Sequence, residues 1–262
     1  MTAETNNPPV FWNISSDGIA TVTIDRPKKY NALNLKVKRL LETAFVSLGA
    51  DPAVKVIIIT GSEGVFVAGT DIAEMMDMAS DDHHREESGK IFQILRSCPK
   101  PVIAAVEKYA LGGGMELALA CDIIIAGENT RFAQPEIRVG IMPGAGGTQV
   151  LLRTIGKYRT MRMILTGEQI SAREAFEWGV VSEVVESSQA LAAAEKMATL
   201  IAAMPPLAIK AIKTVVMEGL NIGQSEALKL ERQAFTSLFD SQDQREGMKA
   251  FLEKRKPVYT GT

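Results

Sequence analysis

An α/β fold with a parallel core sheet is what this sequence predicts, on three observations. Short, β-branched apolar runs read as strands buried on both faces, segments of helical spacing separate them, and the last third holds helices alone. Strands alternating with helices are joined by crossovers, which leave the strands parallel. The 262 residues suit one large domain, or one domain with an appendage, at roughly 100 to 200 residues per domain. Hydrophobic residues at 46% and charged ones at 23% are near the soluble average, which excludes disordered, collagen-like and coiled-coil classes.

From Val10 to Ile24 apolar and polar residues roughly alternate around Asp17-Gly18, the pattern of a hairpin. Asn34 is the expected N-cap of an amphipathic helix carrying Leu35, Val37, Leu40, Leu41, Ala44, Phe45 and Leu48, which ends at Gly49 and Pro52. Val54 to Gly61, Val102 to Val106 and Cys121 to Ala126 are the buried strands. Helical spacing over Asp71 to Met78, Gly89 to Cys98 and Met115 to Ala120 fills the intervals. Ser171-Ala172-Arg173-Glu174 is a capping box opening a short helix that Gly179 closes, and Ser241-Gln242-Asp243-Gln244 is another, ahead of a helix over Gly247 to Lys256. From Gln189 onward about four helices follow, with breaks at Met204-Pro205-Pro206, Gly219 to Gly223 and Asp240-Ser241. The expected division is an α/β core over residues 1–200 and a helical region over 201–262, with no linker or internal repeat.

Lys+Arg 29 against Asp+Glu 31 gives a net charge of −2, so no overall basic field draws the chain to nucleic acid or anionic membrane. An anionic ligand must be met locally. Cys98 and Cys121 are too few for a disulfide framework and lack a second pair for zinc, which points to reduced thiols and the cytoplasm. The stretch Met1 to Ser16 has no basic segment followed by an apolar run and no Arg, and no stretch reaches the ~18 apolar residues of a membrane span. His83-His84 sit in a polar stretch without a third ligand, so no metal is expected. With no G-x-S-x-G, a hydrolytic triad lacks support.

Two loops carry the chemistry. Tyr109-Ala110-Leu111-Gly112-Gly113-Gly114-Met115-Glu116 leaves a strand and enters a helix, and its glycines let backbone N–H groups approach a ligand beside a positive helix end. Glycine needed only for packing is the plainer reading. The spacing is not G-x-G-x-x-G, so a dinucleotide site is not indicated. Phe66-Val67-Ala68-Gly69-Thr70-Asp71-Ile72 offers a second set of donors, and two such sets converging on one oxygen would stabilise an oxyanion. Glu116 in a first helical turn is either a partner of the helix dipole or, among apolar neighbours, a buried acid able to move protons. Glu136 follows twenty residues later, ahead of the glycine-rich Gly140 to Thr148, and is either a loop acid or the second member of an acid–base pair.

The ordered set Ala68-Gly69-x-Asp71-Ile72, Pro101 to Val106, Ala110-Leu111-Gly112-Gly113-Gly114-x-Glu116-Leu117-Ala118, Cys121-Asp122-Ile123, Phe132-Ala133-Gln134-Pro135-Glu136 and Gly140-x-x-Pro143-Gly144-x-Gly146-Gly147 resembles the crotonase family, in its enoyl-CoA hydratase branch. The match runs nearly end to end, from Asp25-Arg26-Pro27-Lys28 through Leu165-Thr166-Gly167 to Arg245-Glu246-Gly247-Met248 and Ala250 to Arg255. The resemblance implies a crotonase-like ββα spiral core with parallel sheets and a C-terminal all-helical annex. It implies an acyl-CoA substrate whose thioester oxygen is held by the backbone N–H groups of Thr70 and Gly113, with Glu116 as base toward water and Glu136 as proton donor to the alpha carbon. CoA is then part of the substrate and no cofactor is expected. Lys28, Ala68, Asp71, Ile72 and Ala73 would meet the CoA moiety, with Phe251 and Lys254 reaching the nucleotide, in some relatives across a subunit boundary. A homotrimer or a dimer of trimers is implied.

Thr70 departs from the family pattern, where a small Ala or Gly is more usual. Its backbone can still donate, while the β-branched side chain narrows the floor of the site. An enoyl-CoA isomerase, or another enolate-forming member, is the alternative with the same site. A nonenzymatic RNA binder is a further one, for which Lys28, Lys29, Lys36, Lys38 and Arg39 would supply a small basic strip.

Overall fold

The computed structural model describes residues 8–262. The N-terminal stretch read above for targeting signals begins in residues 1–7, outside the described residues. Strands β1 (Val10–Ile14) and β2 (Ile19–Ile24) pair antiparallel as the expected hairpin. Helix α1 (Leu35–Ala50) starts at the expected cap, where the Asn34 side chain accepts from the Val37 N–H at 2.9 Å. Next come β3 (Val56–Gly61), α2 (Ile72–Met75), α3 (Ser80–Arg85), α4 (Lys90–Ser97), β4 (Val102–Val106), β5 (Tyr109–Leu111), α5 (Gly113–Leu119), β6 (Ile123–Gly127) and β7 (Arg131–Ala133). The chain continues through α6 (Gln149–Thr166), β8 (Ile170–Ser171), α7 (Ala172–Glu177), β9 (Glu183–Val185), α8 (Ala190–Ala202), α9 (Pro206–Gly219), α10 (Gln224–Ser237) and α11 (Gln242–Leu252).

The main sheet has the order β1-β2-β3-β4-β6-β9, parallel from β2 onward. Alternate residues of its strands feed two apolar layers. Ile57, Ile59, Val102 and Ala104 face a large core under α1 and α4, while Val56, Ile58, Ile103 and Ala105 face Ala190, Ala194 and Ala198 of α8. A second sheet, β5-β7-β8, is tied through a parallel bridge between Ala110 and Val67 to the loop that follows β3. That bridge brings the two predicted donor loops side by side.

Four strands, β5, β7, β8 and β9, were not expected from sequence. Each has two or three residues, too few for a period-2 pattern to register. The helix predicted over 71–78 stops at Met75, and the last helix begins at its cap, Ser241, with Gln242 rather than at Gly247, ending at Leu252. Among the described residues no single helix is long and apolar enough to cross a membrane, and α8 and α9 meet at a 111° bend. Helices α9 and α10 bury no residue, whereas α8 lies on the sheet.

Asn31 locks the turn ahead of α1 to the segment that leads into the Phe66–Ile72 loop. It is 0% exposed at φ +58°, its Oδ1 accepts from the Arg26 N–H at 2.8 Å, and its Nδ2 donates to the Val65 carbonyl at 2.6 Å and the Ser62 carbonyl at 3.1 Å. Asn31→Ala strands these buried groups, so urea denaturation should show a loss of about 2–3 kcal/mol. An unchanged midpoint would mean that the network carries no stability.

Candidate active site

The three glycines ahead of α5 are each required for a different reason. Gly112 has φ +50°, and a Cβ there would lie 2.9 Å from Glu136 Oε1. A Cβ on Gly113 would lie 2.5 Å from Thr70 Oγ1 and 3.6 Å from the Thr70 amide nitrogen, and one on Gly114 would lie 2.1 Å from the Val67 carbonyl oxygen. Absence of side chains thus brings the start of α5 onto the Val67–Thr70 loop. Gly113 is the first residue of its helix, where an N–H has no intrahelical acceptor. Among the described residues neither the Thr70 nor the Gly113 N–H donates to another group, although the neighbouring Asp71 N–H donates to the Leu33 carbonyl at 2.9 Å. Two adjacent free amides are what an oxyanion site needs. The Thr70 side chain leans across this floor toward Gly113.

Glu116 lies one turn into α5 and is 4% exposed. Its Oε1 accepts from the Ala145 N–H at 2.6 Å and the Gly147 N–H at 2.9 Å. Glu136, in a single turn of 3-10 helix over Glu136–Val139, is half-buried beside Gly112. The Gln134 amide, oriented with its nitrogen toward that carboxyl group, donates to Oε1 at 3.0 Å and Oε2 at 3.1 Å. Burial pushes Glu136 up to about 7, and the nearby charge of Glu116 acts in the same direction, against the residue's own backbone N–H. One buried acid anchored by two amides and another poised near neutrality can divide a base from an acid.

A model of the enoyl-CoA hydratase/isomerase family matches residues 15–262. The chain belongs to this family. A crotonyl-CoA hydratase of Syntrophomonas wolfei is 42% identical over 243 residues, covering 91% of this chain and 93% of its own. A short-chain-enoyl-CoA hydratase of Clostridium acetobutylicum is 42% identical over 241 residues, covering 91% and 92%. The crystal structure of an enoyl-CoA hydratase from Bacillus anthracis superposes with a TM-score of 0.93 at 33% identity, covering 97% of this chain and 100% of that one. The crotonase-like α/β fold expected from the motifs is therefore the observed one.

The remaining residues expected from family membership are placed as follows. Lys28 is exposed on the Pro27–Lys29 turn, and the Ala68 N–H donates to the carbonyl of Tyr30, the residue that closes this turn, at 3.0 Å. Ile72 and Ala73 are exposed at the start of α2. The Asp71 carboxylate pairs with Arg26 at 3.0 Å, which ties down the loop while leaving the backbone of this residue beside Ile72 and Ala73. Phe251, 82% exposed, lies in the last turn of α11 and Lys254 just beyond it, and among the described residues no hydrogen bond ties them to the Lys28 turn or the 68–73 loop.

Sequence reasoning missed the amides of Ala145 and Gly147, although the glycine run 140–148 was the signal. It also put Lys38 in a basic surface strip. Lys38 is 8% exposed, on the α1 face that carries Leu41 and Phe45, with its ammonium 6.0 Å from the Phe92 ring centroid. Burial pulls its pKa down against the fields of Glu116, Glu74 and Glu42. The spacing 38, 41, 45 was the available sign that this lysine faces inward, and the strip proposed for RNA loses a member.

Proposed function

We propose that this chain adds water across the alpha,beta double bond of an enoyl-CoA thioester, giving the 3-hydroxyacyl-CoA, through the residues just described. The thioester oxygen sits between the N–H groups of Thr70 and Gly113. Glu116 takes a proton from water as its oxygen attacks the beta carbon, and the electron pair of the double bond moves toward the thioester oxygen, where the two amides hold the enolate charge. Glu136 gives its proton to the alpha carbon. The juxtaposition of two carboxyl groups with two free amides carries this reading, and relatives named hydratases support it. No step calls on a cofactor.

In the same proposal Lys28, Ala68, Ile72, Ala73 and the backbone of Asp71 line the path of the CoA moiety, while Phe251 and Lys254 approach it from a neighbouring subunit. Residues 201–262 then form the assembly region of a homotrimer or a dimer of trimers. Exposed apolar side chains on its helices, among them Ile212, Val216, Phe235 and Phe251, support this. Cytoplasmic residence is part of the proposal, supported by the unpaired thiols Cys98 and Cys121.

The test is the loss of thioester-conjugation absorbance when crotonyl-CoA meets the protein. Unchanged absorbance with acyl chains of several lengths, alongside double-bond migration in a 3-enoyl-CoA, would favour the isomerase instead. The pH dependence has a definite sign. Glu136 must carry a proton to donate it, so turnover should fall as pH rises through about 7. A flat profile between about pH 6 and about pH 9 would remove Glu136 from the donor role.

A further inference from the structure

The segment that grips Glu116 has little structure of its own. Residues 141–146 run without regular secondary structure up to α6, and Gly146 has φ +132°. The two N–H groups donated to Glu116 Oε1 belong to the peptide units 144–145 and 146–147. The unit between them, 145–146, presents its carbonyl to Arg96, whose Nη1 donates to Ala145 O at 3.0 Å from the last turn of α4. The same Nη1 lies 3.1 Å from where a Cβ on Gly146 would stand. Arg96 makes no ion pair among the described residues. A partly enclosed guanidinium without a carboxylate partner needs another reason to be there. Lys38 of α1, Arg96 of α4 and Glu136 all lie close enough to Glu116 for their charges to be felt there.

We propose that Arg96 is a positioning residue for the hydration step, holding the central peptide of the 144–147 turn so that the peptides on either side keep Glu116 aimed at the attacking water. The proposal rests on the hydratase reading. It assigns Arg96 no contact with substrate, so its effect must pass through Glu116. Misplacing a reacting group by about 1 Å can cost on the order of 100-fold in rate. Binding of the CoA ester, which depends on other loops, should be spared.

The experiment is a double-mutant cycle on crotonyl-CoA hydration with Arg96→Met and Glu116→Gln. Arg96→Met alone should lower kcat by about 10- to 100-fold and move KM by less than about twofold. On the Glu116→Gln background the same substitution should change the residual rate by less than about twofold, because the side chain it serves no longer acts as a base. Arg96→Lys, which keeps a charged donor without the planar fork, should recover most of the loss. Equal factors on both backgrounds, a loss confined to KM, or an Arg96→Lys variant no better than Arg96→Met would each overturn the proposal. If Arg96→Met does not fold, Arg96→Lys and Arg96→Gln carry the same cycle. Absence of hydration by the unaltered protein would overturn the hydratase reading, and this proposal with it.

Discussion

Glu116→Gln and Glu136→Gln are each expected to lower kcat for crotonyl-CoA hydration by about 10²- to 10⁴-fold while CoA-ester binding persists. The two variants fail for different reasons. Glutamine at 116 can keep its carbonyl oxygen in the place of Oε1, accepting from the Ala145 and Gly147 amides, so the buried network survives. Its other terminus becomes an amide donor that cannot accept a proton from water. Glutamine at 136 removes a carboxyl group whose burial holds it near neutrality, and an amide has no proton to give at that pH. The pH profiles should separate the roles: without the Glu136 carboxyl, the decline in rate through about pH 7 should disappear. The double variant should be far less impaired than the product of the two losses, since acid and base act in one event. Calorimetric titration with a CoA ester and steady-state rates would check both halves. A near wild-type rate in either single variant would end the assignment of that residue.

The parts of this fold written in local pattern are legible from sequence, and those created by tertiary approach are not. Asn34 and Ser171 cap helices where the sequence places them, because an N-cap depends on residues within one turn. The runs at 56–61 and 102–106 read as strands buried on both faces because both faces are covered, by α1 and α4 on one side and α8 on the other. By contrast β5, β7 and β8 exist only through pairing with one another, and nothing in two or three residues announces a partner elsewhere in the chain. The site divides the same way. Glycine at 112, 113 and 114 signals close backbone approach, but not that the approaching groups are Glu136, Thr70 and Val67. Arg96 gave no signal at all, since it acts on a backbone carbonyl 49 residues away.

Gly114→Ala is expected to lower kcat by about 10²- to 10³-fold, the scale of losing one oxyanion donor, and to destabilise the fold by about 1–3 kcal/mol through overpacking. The reason is where the new methyl group would land. It would stand 2.1 Å from the Val67 carbonyl oxygen and 2.8 Å from Val67 Cβ, and Val67 is 0% exposed. The Val67 carbonyl accepts from Leu111 at 3.1 Å and its N–H donates to the Tyr109 carbonyl at 2.9 Å, so both partners in the clash are backbone fixed by the bridge to β5. Relief requires α5 and the 67–70 loop to move apart, and that motion separates the Gly113 amide from the Thr70 amide. Thr70→Ala is the control. Its hydroxyl crowds Gly113, but the donor is its backbone, so removing the side chain should leave turnover near wild type and relax the acyl pocket. Rates on crotonyl-CoA together with thermal unfolding distinguish the cases: a Gly114→Ala protein that unfolds earlier yet turns over normally, or a Thr70→Ala protein as inactive as Gly114→Ala, would show that the spacing of these two amides is not what stabilises the enolate.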